Sequence, residues 1–416
     1  MSYRSRQVVT AALTANAVRP VPGYYLGVPT MVGGWLTSEL APHLAAVTAG
    51  DTLRELVAGD RDRPGLALAA GSLAGLGLVV AWSAQARGCI EGALVECLGP
   101  DYRDRLSTRH TDVDLSLPLR QLLLPFRRAA DDEVEVLRDI AYSPYGRRGL
   151  LDVYRRRDQR TRSGPGVDGP GAPVLLQVHG GAWSIGDKTR QAIPLMRHMA
   201  ARGWVCVAIN YRLSPRHVFP AHLVDVKRAI AWVREHGPSL GADPRFVAVT
   251  GGSAGGHLAA LAALTPGDPE YQPGFEDADT SLQAAVPHYG VYDVAGTTGS
   301  TRARLLRDTF LGPTVLRRRA RTALEEFQKA SPLLRVRPDA PPFLVVHGRH
   351  DSLVEVAQAR HFVEALRAVS TSTVGYAELP GTQHVFDLFP SIRSAHVLRG
   401  VDRFLRFTHD AWQEAA

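Results

Sequence analysis

Two short apolar runs that stop abruptly at glycines set the pattern of this chain: PVLLQVHGGAW from Pro173 to Trp183, and FVAVTGGSAGG from Phe246 to Gly256. An apolar run of this length between breakers predicts a strand buried on both faces of a parallel sheet. HLAALAAL follows the second run and predicts a helix, so this segment reads strand, sharp turn, helix. The same alternation extends to either side. VEVLRDIAY and LLDVYRR, around the turn PYGRRG, predict an opening strand pair from Val134 onward. TRSGPGVDGPG predicts an exposed loop. After PVLLQVHG come a helix near Arg190–Ala201, the strand WVCVAINY, a helix over Ala221–Glu235 and the strand FVAVTG with its helix. LQAAVPHYGVYD, FLVVHGRHD and TVGYAELPGTQH predict the remaining strands, with helices over Val356–Val369 and Ile392–Thr408. The fold class is α/β: a mostly parallel central sheet with helices on both faces. A long connection, residues 294–338, interrupts the alternation and predicts helices at the mouth of a site.

Residues 1–132 have a different texture and predict a helical amino-terminal region ahead of a catalytic domain at 133–416. Arg4 and Arg6 precede VVTAALTANAV, an apolar stretch too short and too broken for a signal peptide, so it reads as an ordinary amino-terminal segment. LTSELAPHLAAVTAGDTLRELVAG predicts helix. Pro64 to Ala86 then runs 23 residues without a formal charge. As a helix it would be roughly 34 Å long, enough to cross a hydrocarbon layer of ~30 Å. It is built of alanine and glycine rather than leucine. Ala67, Gly71 and Gly75 form a small-residue ridge that suits a soluble helical hairpin, a homodimer contact or membrane association. Arg61 and Arg63 on one side and Arg87 on the other leave its orientation undetermined. Localisation stays open between the cytoplasm and a membrane or cell envelope. Helices are expected to continue through residues 90–132, with Pro125 as a break and the Arg127-Arg128 pair on a solvated face.

The 416 residues exceed one minimal domain, and 45% hydrophobic with 21% charged residues suits a globular core. The net charge is +7, yet only three of 48 basic residues are lysines, Lys188, Lys227 and Lys329. No nucleic-acid motif accompanies that arginine bias, so no nucleic-acid partner is expected. Arg302, Arg304, Arg307, Arg317 to Arg319 and Arg321 read as solvated, with anionic substrate or lipid as the second reading. Cys89 and Cys97 lie eight apart on a predicted helix, roughly 12 Å along its axis, too far for a disulfide. Cys206 lies within an apolar strand and reads as core. No zinc spacing is present, and neither metal nor organic cofactor is expected.

A serine flanked by glycines at a strand-to-helix turn is a nucleophile elbow. The turn strains the backbone, requires small neighbours and lifts the Ser253 hydroxyl above the positive end of the following helix. A serine hydroxyl needs a base. Among 15 histidines, His384 follows the last predicted strand at the correct sheet edge. His257 is expected to pack on its own helix, His347 lies in a strand ending, and His350 adjoins the candidate acid. Asp351, ending FLVVHGRHD, is the expected carboxylate partner, with Asp293 as the alternative. The order Ser253, Asp351, His384 is that of the α/β-hydrolase triad. Oxyanion donors are expected from the amides of Gly180, Gly181 and Ala254. His179 is expected to orient the glycine loop, and Trp183 to line a pocket or pack behind it.

HGGAW, YRLSP (Tyr211 to Pro215), GGSAGG, HGRHD and the GTQH histidine together resemble the hormone-sensitive-lipase-type branch of the α/β-hydrolase serine esterases, over roughly Val134 to Thr408. The resemblance implies an α/β-hydrolase fold and a serine carboxylesterase or lipase acting on short- to medium-chain acyl esters. It carries nucleophile, acid and base onto Ser253, Asp351 and His384, and the oxyanion glycines onto Gly180 and Gly181. Asp225 matches a family aspartate read as structural. Ala182 replaces a frequent third glycine, and HGGxW also resembles kynurenine-formamidase-like relatives. The amino-terminal region is longer than the family's usual cap, as in a subset of bacterial cell-envelope esterases. An arylformamidase and a membrane-associated scaffold with an inactive hydrolase domain are the alternatives to an esterase.

Overall fold

The computed structural model describes residues 1–59, 62–106, 119–126, 133–158 and 171–415. The expectations for Arg61, for the Arg127-Arg128 pair and for the loop over residues 161–170 lie outside the described residues. Eight strands form one sheet: β1 Val134–Ala141, β2 Leu150–Arg156, β3 Ala172–Val178, β4 Val205–Ile209, β5 Ala242–Gly252, β6 Ala284–His288, β7 Phe343–Gly348 and β8 Val374–Leu379. Their spatial order is β1-β2-β4-β3-β5-β6-β7-β8. β1 pairs antiparallel with β2, and β2 antiparallel with β4; every pairing from β4 across to β8 is parallel.

The continuous apolar runs follow from burial on both sheet faces. Along β3, Val174, Leu176 and Val178 enter one core while Leu175 enters the other. α7 (Ala221–His236), α8 (Ala254–Leu264) and α11 (Val356–Val369) cover the first face. α6 (Ile193–Ala201), α12 (Ile392–Ala415) and part of α4 cover the second. The connection between β6 and β7 holds α9 (Thr301–Leu306), a wider π-wound stretch over Arg307–Leu316 and α10 (Leu324–Lys329).

Ahead of the sheet lie α1 (Tyr3–Val18), α2 (Gly27–Glu39), α3 (Ala41–Val57), α4 (Arg63–Leu98) and the short α5 (Leu119–Leu123). The segment 64–86 is the first part of α4, a helix of 36 residues that ends where Gly99 takes φ +96°. The chain then turns through residues 99–106 instead of continuing as helix. By length and composition α4 is apolar enough to cross a membrane, and 28% of its most apolar window is buried. Leu76 and Val79 pack with Ala17 and Ala41 in a small separate core. The small-residue ridge is divided: Gly75 lies against Thr14 of α1, whereas Ala67 and Gly71 face outward. Past Ser83 the helix enters the main body, where Ala86, Ile90 and Leu94 join Leu344, Leu379, Val401 and Phe404. Gly400 of α12 is the point of close approach, since a Cβ there would strike Ile90.

A fully buried ion pair joins the end of α2 to the start of α12. Arg393 bonds Glu39 with neither side chain exposed, and Ser391 Oγ donates to Glu39 Oε2 at 2.6 Å. All three cysteines are free, with Cys206 buried in β4.

Candidate active site

Ser253 sits between β5 and α8 with φ 58° and ψ −122°, a backbone conformation costly for a residue with a Cβ. Small neighbours make the turn sterically feasible. Gly180 comes so near that a Cβ on it would lie 3.2 Å from Ser253 Cβ. A Cβ on Gly255 would collide with the carbonyl of Val178 at the end of β3. The Ser253 amide donates to the His288 carbonyl at 3.0 Å, fixing the turn to the end of β6.

The structure brings Ser253, Asp351 and His384 together at the carboxyl ends of the parallel strands. His384 Nε2 lies 2.8 Å from Ser253 Oγ, and its Nδ1 lies 2.6 Å from Asp351 Oδ2. Asp351 and His384 are buried, while Ser253 is partly exposed, so the constellation opens to solvent at the hydroxyl. Asp351 Oδ1 accepts the amides of Leu353 and Val354 at 2.9 and 2.8 Å. His347 Nε2 stands 3.3 Å from Asp351 Oδ2 and 3.0 Å from the Val354 carbonyl. Burial alone would raise the Asp351 carboxyl, but His384 and His347 outweigh it and hold the group well below the ordinary carboxylate range.

Several of these supports could not be seen in the sequence. His347 stands one helical-type spacing before Asp351, and HGRHD hints at it only by that offset. Gln383, inside GTQH, accepts from the Ser352 amide at 2.9 Å and the His384 amide at 3.0 Å, joining the acid and base loops. Tyr289 presents its ring edge to His384, with centroids 4.6 Å apart. Its hydroxyl donates to Asp387, whose other oxygen lies 2.9 Å from His288 Nδ1.

The glycine loop departs from expectation at one atom. The Gly180 amide donates to Gln191 Oε1 at 2.5 Å, so it has a side-chain acceptor in this structure. Gln191 lies eleven residues on, a pairing no local pattern announces. The amides of Gly181 and Ala254 have no such side-chain partner among the described residues. His179 orients the loop through Nδ1, 2.7 Å from the Gly180 carbonyl, while stacking on Tyr211 at 4.3 Å. Ala182 and Trp183 both take positive φ, 51° and 55°, as the tight loop demands.

The remaining candidates are engaged elsewhere. Trp183 packs behind the loop and its Nε1 donates to His257 Nδ1 at 3.3 Å; His257 Nε2 in turn reaches the Ala330 carbonyl at 2.8 Å. Asp293 accepts from Thr297 and Thr298, away from His384. His350 is directed at the Ala17 carbonyl, 3.3 Å away, and at Trp82. Asp225 is the buried partner of Arg212 at 2.8 Å. Among the described residues no group of three or more His, Cys, Asp or Glu is placed to hold a metal ion.

A family model described as BD-FAE matches residues 164–366. The chain is 45% identical to "Probable carboxylic ester hydrolase LipM" of Mycobacterium tuberculosis, over 95% of this chain and 91% of that protein. It is 44% identical to "Esterase LipQ" of the same organism, over 90% of this chain and 83% of the other. Among solved structures, the butyrate-bound esterase Est2 of Thermogutta terrifontis superposes with a TM-score of 0.53 at 26% identity, covering 66% of this chain and 93% of that one. A truncated carbohydrate esterase from gut microbiota, at 20% identity, shares the fold with a TM-score of 0.55 over 69% of this chain and 100% of its own.

Proposed function

We propose that this chain, which belongs to the carboxylic ester hydrolases of the α/β-hydrolase fold, hydrolyses short- to medium-chain acyl esters through a covalent intermediate on Ser253. The observation that carries this reading is the unbroken chain of hydrogen bonds from Asp351 through His384 to Ser253 Oγ. His384 Nε2 accepts the hydroxyl proton as Ser253 Oγ attacks the ester carbonyl. The negative charge on Asp351 stabilises the imidazolium that forms. The carbonyl oxygen, now anionic, is held by the amides of Gly181 and Ala254, and the positive end of α8 adds to that field. The imidazolium returns its proton to the departing alcohol. A water molecule, deprotonated by His384, then attacks the acyl-serine, and His384 passes that proton to Ser253 Oγ as the acyl C–Oγ bond breaks and the carboxylic acid leaves.

The test is a p-nitrophenyl ester series from acetate to decanoate, run on the wild type and Ser253→Ala. We expect turnover to peak at short to medium chains and to fall by more than about 10³-fold in the variant. Undiminished turnover in Ser253→Ala would reject the nucleophile. Faster cleavage of N-formylkynurenine than of butyrate esters would assign an arylformamidase instead.

A further inference from the structure

The arginines between β6 and β7 lie outside the hydrogen-bonded series Asp351, His384, Ser253. Five of them, Arg307, Arg317, Arg318, Arg319 and Arg321, line a cavity of about 750 Å³ together with Asp308. Two of the five cations are matched: Arg307 with Asp308 at 2.8 Å and Arg318 with Glu326 at 3.1 Å. Arg317, Arg319 and Arg321 are exposed and form no ion pair among the described residues. Arginines outnumber carboxylates in this lining by five to one, with Arg321 sharing Asp308 with Arg307; such an excess favours a ligand with phosphate oxygens, which the planar fork of arginine fits in pairs.

What adjoins this wall decides the kind of ligand. Thr309, on the same π-wound stretch, has its Oγ1 2.7 Å from Tyr24 Oη. That hydrogen bond fixes the loop before α2 beside the arginines. The next residues turn apolar side chains to solvent: Tyr25 is 81% exposed, Leu26 51% and Val28 59%. A soluble phosphate compound or a nucleic acid would engage the arginines but leave these three in water. A bilayer satisfies both, with phosphates at the arginines and the apolar side chains in the headgroup–acyl boundary.

We propose that the arginine-lined cavity at Arg317–Arg321 and the exposed Tyr25, Leu26 and Val28 form one docking face for an anionic phospholipid bilayer. The face lies beside the catalytic rim, since Ser352 Oγ donates to the Gly27 carbonyl at 3.1 Å and Ser352 follows Asp351.

The probe is flotation of the full chain with vesicles of phosphatidylcholine alone or with one-third phosphatidylglycerol. Binding is read without turnover, so it stands or falls apart from the hydrolytic assignment. We expect partitioning onto the anionic vesicles at least ~10-fold above the neutral ones, declining in 0.5 M NaCl as charge is screened. Arg317→Gln/Arg319→Gln/Arg321→Gln should lose ~100-fold in partition coefficient, and Tyr25→Ser/Leu26→Ser/Val28→Ser at least ~10-fold. Circular dichroism and melting temperature report whether each variant is folded. Equal binding to both vesicle types, or folded variants that bind like wild type, would overturn the proposal. So would tight binding of inorganic pyrophosphate at the cavity with neither vesicle bound, which would make it a small-anion site.

Discussion

Ser352 Oγ donates to the carbonyl of Gly27 across 325 positions of chain, so the residue after Asp351, the proposed acid, is tied to the first turn of α2. The amino-terminal layer therefore reaches into the support of the triad. α2 presses close at Gly27 and Gly34: a Cβ on Gly27 would lie 2.8 Å from the Ser352 carbonyl oxygen, and one on Gly34 3.1 Å from Gln383 Cγ. A Gly34→Val variant should push Gln383 and with it the His384 loop. We expect kcat to fall roughly 10- to 100-fold with KM little changed, the signature of a displaced catalytic group rather than lost substrate binding. Steady-state kinetics on a soluble butyrate ester check it, and a variant with wild-type kcat would remove α2 from the positioning of the site.

Tyr289 supports the other side of the imidazole. Its ring lies edge-on to His384, and a Cβ on Gly252 would meet the same ring. Tyr289→Ala should lower kcat by roughly 10²-fold because the imidazole loses its wall. Tyr289→Phe keeps the wall and should lose only several-fold. The partly exposed Asp387 carboxylate would then lack one donor, and loss of one such hydrogen bond costs about 1 kcal/mol, read as a lower denaturation midpoint. Equal kinetic losses in the two variants would contradict the wall as the working part.

α4 bears on whether the amino-terminal region can be removed. Ile90 and Leu94 fill the core beneath β7, β8 and α12. Ile90→Ala should destabilise the protein by about 2–5 kcal/mol, the range for a buried aliphatic deletion, measured by urea unfolding. A cost below about 1 kcal/mol would mean that the helix is only loosely attached to the sheet.

Acid sensitivity follows from neutral buried histidines. Burial pulls His179 and His257 down to about 4 and His222 to about 3. In the unfolded chain such groups titrate near 6.5. The unfolded state thus binds more protons below about pH 6.5, and stability falls as pH drops from there towards 4. For His257 the loss between pH 7.5 and 5 is about 2 kcal/mol. A His257→Gln variant should show a correspondingly shallower decline of its urea midpoint over that interval. Identical slopes would show that His257 is already protonated when folded or is not buried.

The parts of the site written within a few residues are legible in the sequence. The elbow at Ser253, the strand ends at Asp351 and the loop at His384 each follow from a local run of apolar residues that stops at small or polar ones. The two-sided burial of β3 was legible for the same reason. What the sequence hid is partnership across distance. Nothing near Gly180 says that its amide will donate to Gln191. Nothing near Glu39 announces Arg393. The segment 64–86 shows a different limit: a core helix and a spanning helix are written in the same alanines and glycines, and only the packing of Ile90 and Leu94 beyond it shows where this one is anchored.

The most direct measurement of the central claim is mass-spectrometric mapping of the adduct formed with a fluorophosphonate. The hydrogen-bonded series Asp351, His384, Ser253 predicts one phosphonyl group per chain on the peptide carrying Ser253. Labelling should be abolished in Ser253→Ala and slowed by at least ~10³-fold in His384→Ala. An adduct on any other residue, or folded protein that hydrolyses esters yet leaves Ser253 unlabelled, would contradict it.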